Sequence, residues 1–147
     1  MSVRISGPPE AIRGSRLDAG RLRERARRVL RAIGRSRSEL SIALVDDAEI
    51  AALNGQWRGR PRPTDVLSFS LVEGAFADHR GGLLGDVVIS VETAAAQAAD
   101  RHRSLDEVVT RLLIHGVLHL IGHDHEDDDD ARRMQREERR VWRALDA

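Results

Sequence analysis

Apolar positions recur along this chain with two periods, and the alternation between them lays out the elements. Val3–Ser6 reads as a short strand, followed by a Gly-Pro-Pro loop. From Leu17 to Ile33 the spacing becomes helical: Leu22, Ala26, Val29 and Ile33 fall on one face, arginines surround them, and Gly34 ends the run. Leu40–Val45 (LSIALV) predicts a strand. Asp46, with Glu49 three residues on, predicts a capped short helix to about Asn54, and Gln56–Pro63 reads as a loop rich in Arg, Gly and Pro. Thr64–Ser70 and Leu84–Ser90 predict strands, separated by a polar loop over Glu73–Gly82. Helices follow over Glu92–Arg101, over Leu105–Ile121 behind a Ser104/Glu107 capping box and ahead of Gly122, and over Asp128–Leu145 with Met134, Val141 and Leu145 inward. This order predicts an α+β protein, with a small mixed sheet of about four strands and helices packed on it.

The 147 residues have the size of one domain, taken here as 1–147. There is no cysteine, so disulfides, thiolate metal sites and a cysteine nucleophile are excluded, and any metal must be held by His, Asp or Glu. Every basic residue is arginine, which removes Schiff-base and phosphate-loop lysine chemistry. Net charge is zero but uneven. Ten arginines between Arg13 and Arg37 face only Asp18 and Glu24, while six acids occupy Asp124–Asp130. The basic stretch reads either as a backbone-tracking nucleic-acid face or as a solvated helix face. The acidic run reads as a solvated first turn of the last helix more readily than as a second metal site. With aromatics at 3% and no tyrosine, modules that stack bases on aromatic rings are disfavoured. No secretory h-region opens the chain, and the longest apolar stretch carries charges, so a cytoplasmic protein without membrane contact is expected.

The candidate chemistry sits on the helix Leu105–Ile121. Its surface is apolar nearly all round, which predicts burial. His115 and His119 stand four residues apart on it, about 40° from each other around the axis at about 100° per residue. Polar rings on a buried face need a partner, and His-x-x-x-His is the spacing by which a helix chelates a divalent metal. Gly122 then turns the chain and brings His125 within reach. Three histidines leave a tetrahedral position open, as a catalytic zinc requires, and such a metal makes hydroxide available near neutral pH. The alternative is a pair of core histidines with others on the surface. His123 also stands four after His119, but it follows the helix-ending glycine and should point elsewhere. The spacing and Gly122 match the long zinc-protease motif. That motif's general-base glutamate is missing, its place held by Gly116.

These residues carry a family resemblance. HGVLHLIGHDH (His115–His125) closely resembles the signature of the bacterial YbeY family. So does WRGRPRPTDVLSFS (Trp57–Ser70), and LGDVVIS (Leu84–Ser90) is a third match in the family order. Together the matches span nearly half the chain. They depart from the usual pattern at His123 (tyrosine), Ser70 (proline) and Arg60-Pro61 (Lys-Asp). The resemblance implies a zincin-like metal-binding helix and a single-strand-specific endoribonuclease of the bacterial cytoplasm. It also implies one zinc or other divalent ion per chain. It implies action on the 3′ end of small-subunit (16S) ribosomal RNA and in ribosome quality control, with the small subunit, ribosomal proteins or an assembly GTPase as partners. Carried over, the metal ligands are His115, His119 and His125. Arg58 and His115 are the catalytic residues, and Arg58 also contacts substrate.

RNA cleavage needs an activated nucleophile, stabilised phosphoryl charge and a proton for the leaving oxygen. Arg58 suits the second task, because its fork can hold two phosphate oxygens and stays protonated. Asp124 is placed either to orient an imidazole or to cap the last helix. Thr64, Asp65, Ser68 and Asp86 read chiefly as strand-end hydrogen-bonding groups. Two other classes stay open: a zinc peptidase or amidase, and a non-catalytic ribosome assembly factor with a structural metal.

Overall fold

The computed structural model describes residues 3–8, 17–70 and 82–145. The predicted loop over Glu73–Gly82 lies outside them except for Gly82, as do Arg13 and Arg16 of the basic stretch. The described residues form strand β1 (Val3–Ser6), helix α1 (Ala19–Ala32), strand β2 (Glu39–Val45), helix α2 (Asp47–Arg58), strands β3 (Val66–Ser70) and β4 (Leu83–Ser90), and helices α3 (Val91–Arg101), α4 (Leu105–Leu120) and α5 (Asp128–Ala144). The sheet order is β1-β2-β4-β3. β1, β2 and β4 run parallel, and β3 pairs antiparallel on the far edge of β4.

The two faces of the sheet are covered unequally. On one side Leu40, Ile42, Leu44, Val87 and Ile89 face the main core, where α3 lies on β2 and β4, α4 lies on β4, α1 lies on β1, and α5 packs on α4 and α1. On the other, Val45 and Val88 meet Ile50 of α2, with Leu67 and Phe69 alongside. The period of two along each strand sends neighbours such as Val87 and Val88 to opposite cores. α4 runs through the larger core, and ten of its sixteen residues are buried.

All five helices of the described residues start on a capping side chain. Asp18, Asp46, Ser90, Ser104 and Asp127 each accept a hydrogen bond from the backbone N–H three residues on, as expected at Asp46 and Ser104. The acidic run thus supplies the cap and first turn of α5, where carboxylates favour the positive end of the helix. α1 and β3 start two residues later than expected, at Ala19 and Val66, and one boundary differs by more. α2 does not stop near Asn54 but continues to Arg58, with Gly59 as a left-handed cap at φ 70°. The glycine–proline composition that suggested a loop instead folds back over the helix. Pro61 lies against Gly55, and the buried Asn54 side chain donates to the Arg62 carbonyl at 3.0 Å. Arg58 is therefore the last residue of a helix, not part of a loop.

Candidate functional site

α4 is buried on every side except one stripe. Arg111, His115 and His119, spaced by four, face outward among buried neighbours. The two histidines are thus half-buried at the wall of a cleft, not sealed in the core as the apolar helix suggested. Arg111 lies over the Trp142 ring at 4.2 Å. Gly122 then reverses the chain at φ 98°, a backbone conformation that costs glycine nothing and other residues about 1–2 kcal/mol. This turn returns His125 to the same face.

The three rings converge. His119 Nε2 lies 3.1 Å from His115 Nε2, and one ligand atom from each of His115, His119 and His125 falls within 4.8 Å of the others. Tetrahedral zinc with bonds of about 2.0–2.1 Å sets its ligand nitrogens about 3.3 Å apart, so the donor set fits such an ion after a small inward movement. His123 does not join them. Its backbone N–H bonds the Leu118 carbonyl, and the residue lines a separate pocket with Asp124, Asp130 and Arg133.

Electrostatics favours the ligating form. Burial, reinforced by the neighbouring His115 and His125, lowers the His119 pKa, with Asp124 and the His123 backbone opposing. The ring is held neutral, with a lone pair free for a cation. Asp124 takes neither role expected of it in full. Its Oδ1 accepts from the His125 backbone N–H at 2.7 Å and lies 3.7 Å from His125 Nδ1, while Asp127 caps α5. A carboxylate absent from the sequence candidates does meet a ring: Glu138 Oε1 lies 3.3 Å from His115 Nδ1. The signal for it was present. Met134, Val141 and Leu145 are buried along α5 in a period that places Glu138 on the same stripe, where a charged residue calls for a partner.

A cleft of about 660 Å³ joins this centre to the sheet edge, with Arg58, Thr64, Asp65, Ser68, Phe69 and the three histidines among its walls. Arg58 crosses from the end of α2 to β3. Its Nη2 donates to the Ser68 carbonyl at 2.8 Å, and its guanidinium sits 5.2 Å from the Phe69 ring centre. The sequence motif holds both Arg58 and Phe69 but gave no hint that the guanidinium would reach the ring. Ser68 and Asp65 do the structural work expected of them. Ser68 Oγ donates to the Gly116 carbonyl at 2.8 Å, while Asp65 accepts from the Val66 N–H and from Gln97. Asp86 sits on β4 opposite Phe69.

Gly116 sits where α4 approaches the sheet closely. A Cβ there would stand 2.7 Å from Val87 Cγ1 and 3.0 Å from Ser68 Oγ. The position that carries a general base in the protease motif therefore faces the sheet, and no glutamate fits it. The basic helix α1 is likewise partly spoken for. Arg25 donates to Thr110 Oγ1 at 2.8 Å and to the Asp106 carbonyl, and Arg28 donates to the Leu145 carbonyl at 2.7 Å. These arginines tie α1 to α4 and to the end of α5, so the helix is not simply a free charged face.

Fold and site together define a class: an α+β protein whose buried helix presents a three-histidine candidate metal centre to a cleft faced by a guanidinium. The family model described as Endoribonuclease YbeY matches residues 13–146. A protein named Endoribonuclease YbeY from Anaeromyxobacter sp. (strain Fw109-5) is 51% identical over 144 residues, covering 98% of this chain and 72% of that one. Its namesake from Anaeromyxobacter dehalogenans (strain 2CP-C) is 46% identical with the same coverage. Among solved structures, the solution structure of TM1509 from Thermotoga maritima superposes with a TM-score of 0.65 at 30% identity, covering 97% of this chain and 88% of that one. This chain belongs to the endoribonuclease YbeY family, and that membership supports an endoribonuclease role. No helix among the described residues is long and apolar enough to cross a membrane.

Proposed function

We propose that this chain is a metal-dependent, single-strand-specific endoribonuclease of the cytoplasm. In this reading it acts on the 3′ end of small-subunit (16S) ribosomal RNA and in ribosome quality control. One observation carries the reading: three convergent histidines and an arginine line the same cleft in a member of an endoribonuclease family. His115, His119 and His125 would hold the ion, zinc or another divalent cation. When bound, such an ion supplies Lewis acidity to the reacting phosphodiester.

The chain's own residues do the rest. Arg58 spends one donor on the Ser68 carbonyl, which fixes the guanidinium at the cleft wall. Its other N–H groups can then hold two oxygens of one phosphate and offset the charge that grows on them during cleavage. Ser68 in turn is fastened to α4 through the Gly116 carbonyl, so the phosphate clamp and the histidine helix share one rigid frame. The peptidase reading loses support because position 116 has no room for a general base.

The test is cleavage of single-stranded ribosomal RNA by the purified chain. Activity should vanish on chelation, return with zinc, and be lost in Arg58→Ala and His119→Ala. Arg58→Ala should leave thermal stability nearly unchanged, since the side chain is exposed. Equal cleavage by metal-free protein would refute metal dependence. Binding to the small subunit without turnover would favour the assembly-factor reading instead.

A further inference from the structure

We propose that Glu138 is a positioning residue for His115: its carboxylate accepts the Nδ1–H and thereby aims Nε2 at the point where His119 and His125 converge. The inference rests on the metal-dependent reading of the site and adds to it a residue from a different helix.

Three observations support it. The contact is made at the correct nitrogen. His115 Nε2 faces His119 Nε2 at 3.1 Å, and Glu138 Oε1 stands at Nδ1, on the other side of the ring. A neutral imidazole has one N–H and one lone pair. With the proton drawn to Nδ1 by the carboxylate, the lone pair lies on Nε2, toward the shared centre. Glu138 is also not a ligand by geometry, since the atoms within 4.8 Å of one another come from the three histidines alone.

The second observation is where the glutamate sits. Met134 and Val141 bury almost completely against α4 on either side of it, at 1% and 0% exposure. A carboxylate on that stripe displaces apolar contact and does nothing for packing. Its neighbour Glu137 shows the ordinary alternative, pairing with Arg140 one turn along the same helix. Glu138 makes no such local pair among the described residues, and its carboxylate meets His115 Nδ1 instead.

The third is rigidity. α5 is held against the body of the protein along its length: Met134, Val141 and Leu145 are buried in the main core, and the Leu145 carbonyl accepts from Arg28 of α1. The carboxylate is therefore carried by a fixed helix, and its aim does not depend on the turn that delivers His125.

The test uses the full chain with zinc as the probe, and Glu138→Leu, Glu138→Gln and Glu138→Ala. Zinc affinity is read by competition with a chromophoric chelator, and the His115 tautomer by long-range ¹H–¹⁵N NMR of the metal-free protein. Glu138→Leu should bind zinc about 10–100-fold more weakly. It should melt no lower than the parent, because leucine suits the stripe between Met134 and Val141. Glu138→Gln keeps an acceptor and should fall between. In Glu138→Leu and Glu138→Ala the His115 signal should lose its predominant Nδ1–H form. Stability and affinity thus move apart, which a merely structural glutamate would not produce. The proposal is overturned if Glu138→Leu and Glu138→Ala bind zinc within twofold of the parent, or if the His115 tautomer is unchanged. None of these readouts uses RNA. A parent that binds zinc but does not cleave would sink the nuclease reading and leave this inference standing, while a parent that binds no zinc would overturn both.

Discussion

Gly116→Ala tests the frame that holds the cleft together. An added Cβ meets Val87 Cγ1 at 2.7 Å, Ser68 Oγ at 3.0 Å and Val66 Cγ2 at 3.2 Å. Ordinary carbon contacts are about 3.5–4.0 Å, so Val87 or the helix must yield by nearly an ångström. Val87 is fully buried and β-branched, so it has no alternative rotamer at low cost. Overpacking of this kind costs about 1–3 kcal/mol, while exchanging glycine for alanine inside a helix returns about 1 kcal/mol. The net is a loss of about 0–2 kcal/mol, or a Tm lower by up to about 6 °C. The functional effect should exceed the stability effect. Because Val87 cannot yield, relief comes by shifting α4 away from the sheet, which strains the Ser68 Oγ bond to the Gly116 carbonyl and with it the strand β3 that anchors Arg58. We expect RNA cleavage to fall about tenfold or more at temperatures where the variant is fully folded. Urea unfolding measures the first quantity and single-turnover cleavage the second. A variant more stable than the parent by about 1 kcal/mol would show that helix propensity alone operates and that α4 has room to spare, refuting the close-approach argument.

Further outcomes follow from other contacts. Asp47 Oδ1 accepts from both Ser90 Oγ and Thr93 Oγ1 at 2.6 Å, and Ser90 is fully buried. Asp47→Ala should therefore cost about 2 kcal/mol in urea unfolding, and a loss under about 0.5 kcal/mol would contradict this. The lowered His119 pKa has a pH signature in the metal-free chain. The unfolded ring takes up a proton near the ordinary value of about 6.5 and the folded ring only below it, so protonation favours unfolding in that window. Stability present above pH 6.5 should be lost as pH falls toward the folded value. His119→Gln should flatten that slope, and an unchanged slope would remove His119 as its source. Zinc at about 100 times its Kd should stabilise the parent by about 2.7 kcal/mol and leave His119→Ala almost unmoved in thermal melts. Equal stabilisation of both would place the ion elsewhere.

Much of the fold was legible because it rests on local rules. Period-two and period-3.6 patterns located all four strands and all five helices among the described residues, and the caps at Asp46 and Ser104 located two of the helix starts. The end of α2 was not legible, because Gly55 and the Pro61 segment read as loop until one sees the segment folded onto the helix through Asn54. The histidine spacing was legible for a similar reason: a helix converts a separation of four into a shared face whatever surrounds it. Arg58 was legible as a motif position, but its reach to Ser68 and Phe69 was not, since both lie on a different element.

The amino-acid order by itself determined which donors can exist. It provides imidazoles but no thiols, arginine but no lysine, a glycine where a protease motif keeps its base, and a turn at Gly122 that returns the third ring. Tertiary packing alone decided which side chains those donors meet. It opened the one exposed stripe of α4 toward β3, set Glu138 of α5 behind His115, and closed position 116 against the sheet. The reason is one of range. Periodicity and capping act over a few residues along the chain, whereas Glu138 is separated from His115 by 23 residues and Ser68 from Gly116 by 48, and only the packing of whole elements brings such pairs within hydrogen-bond distance.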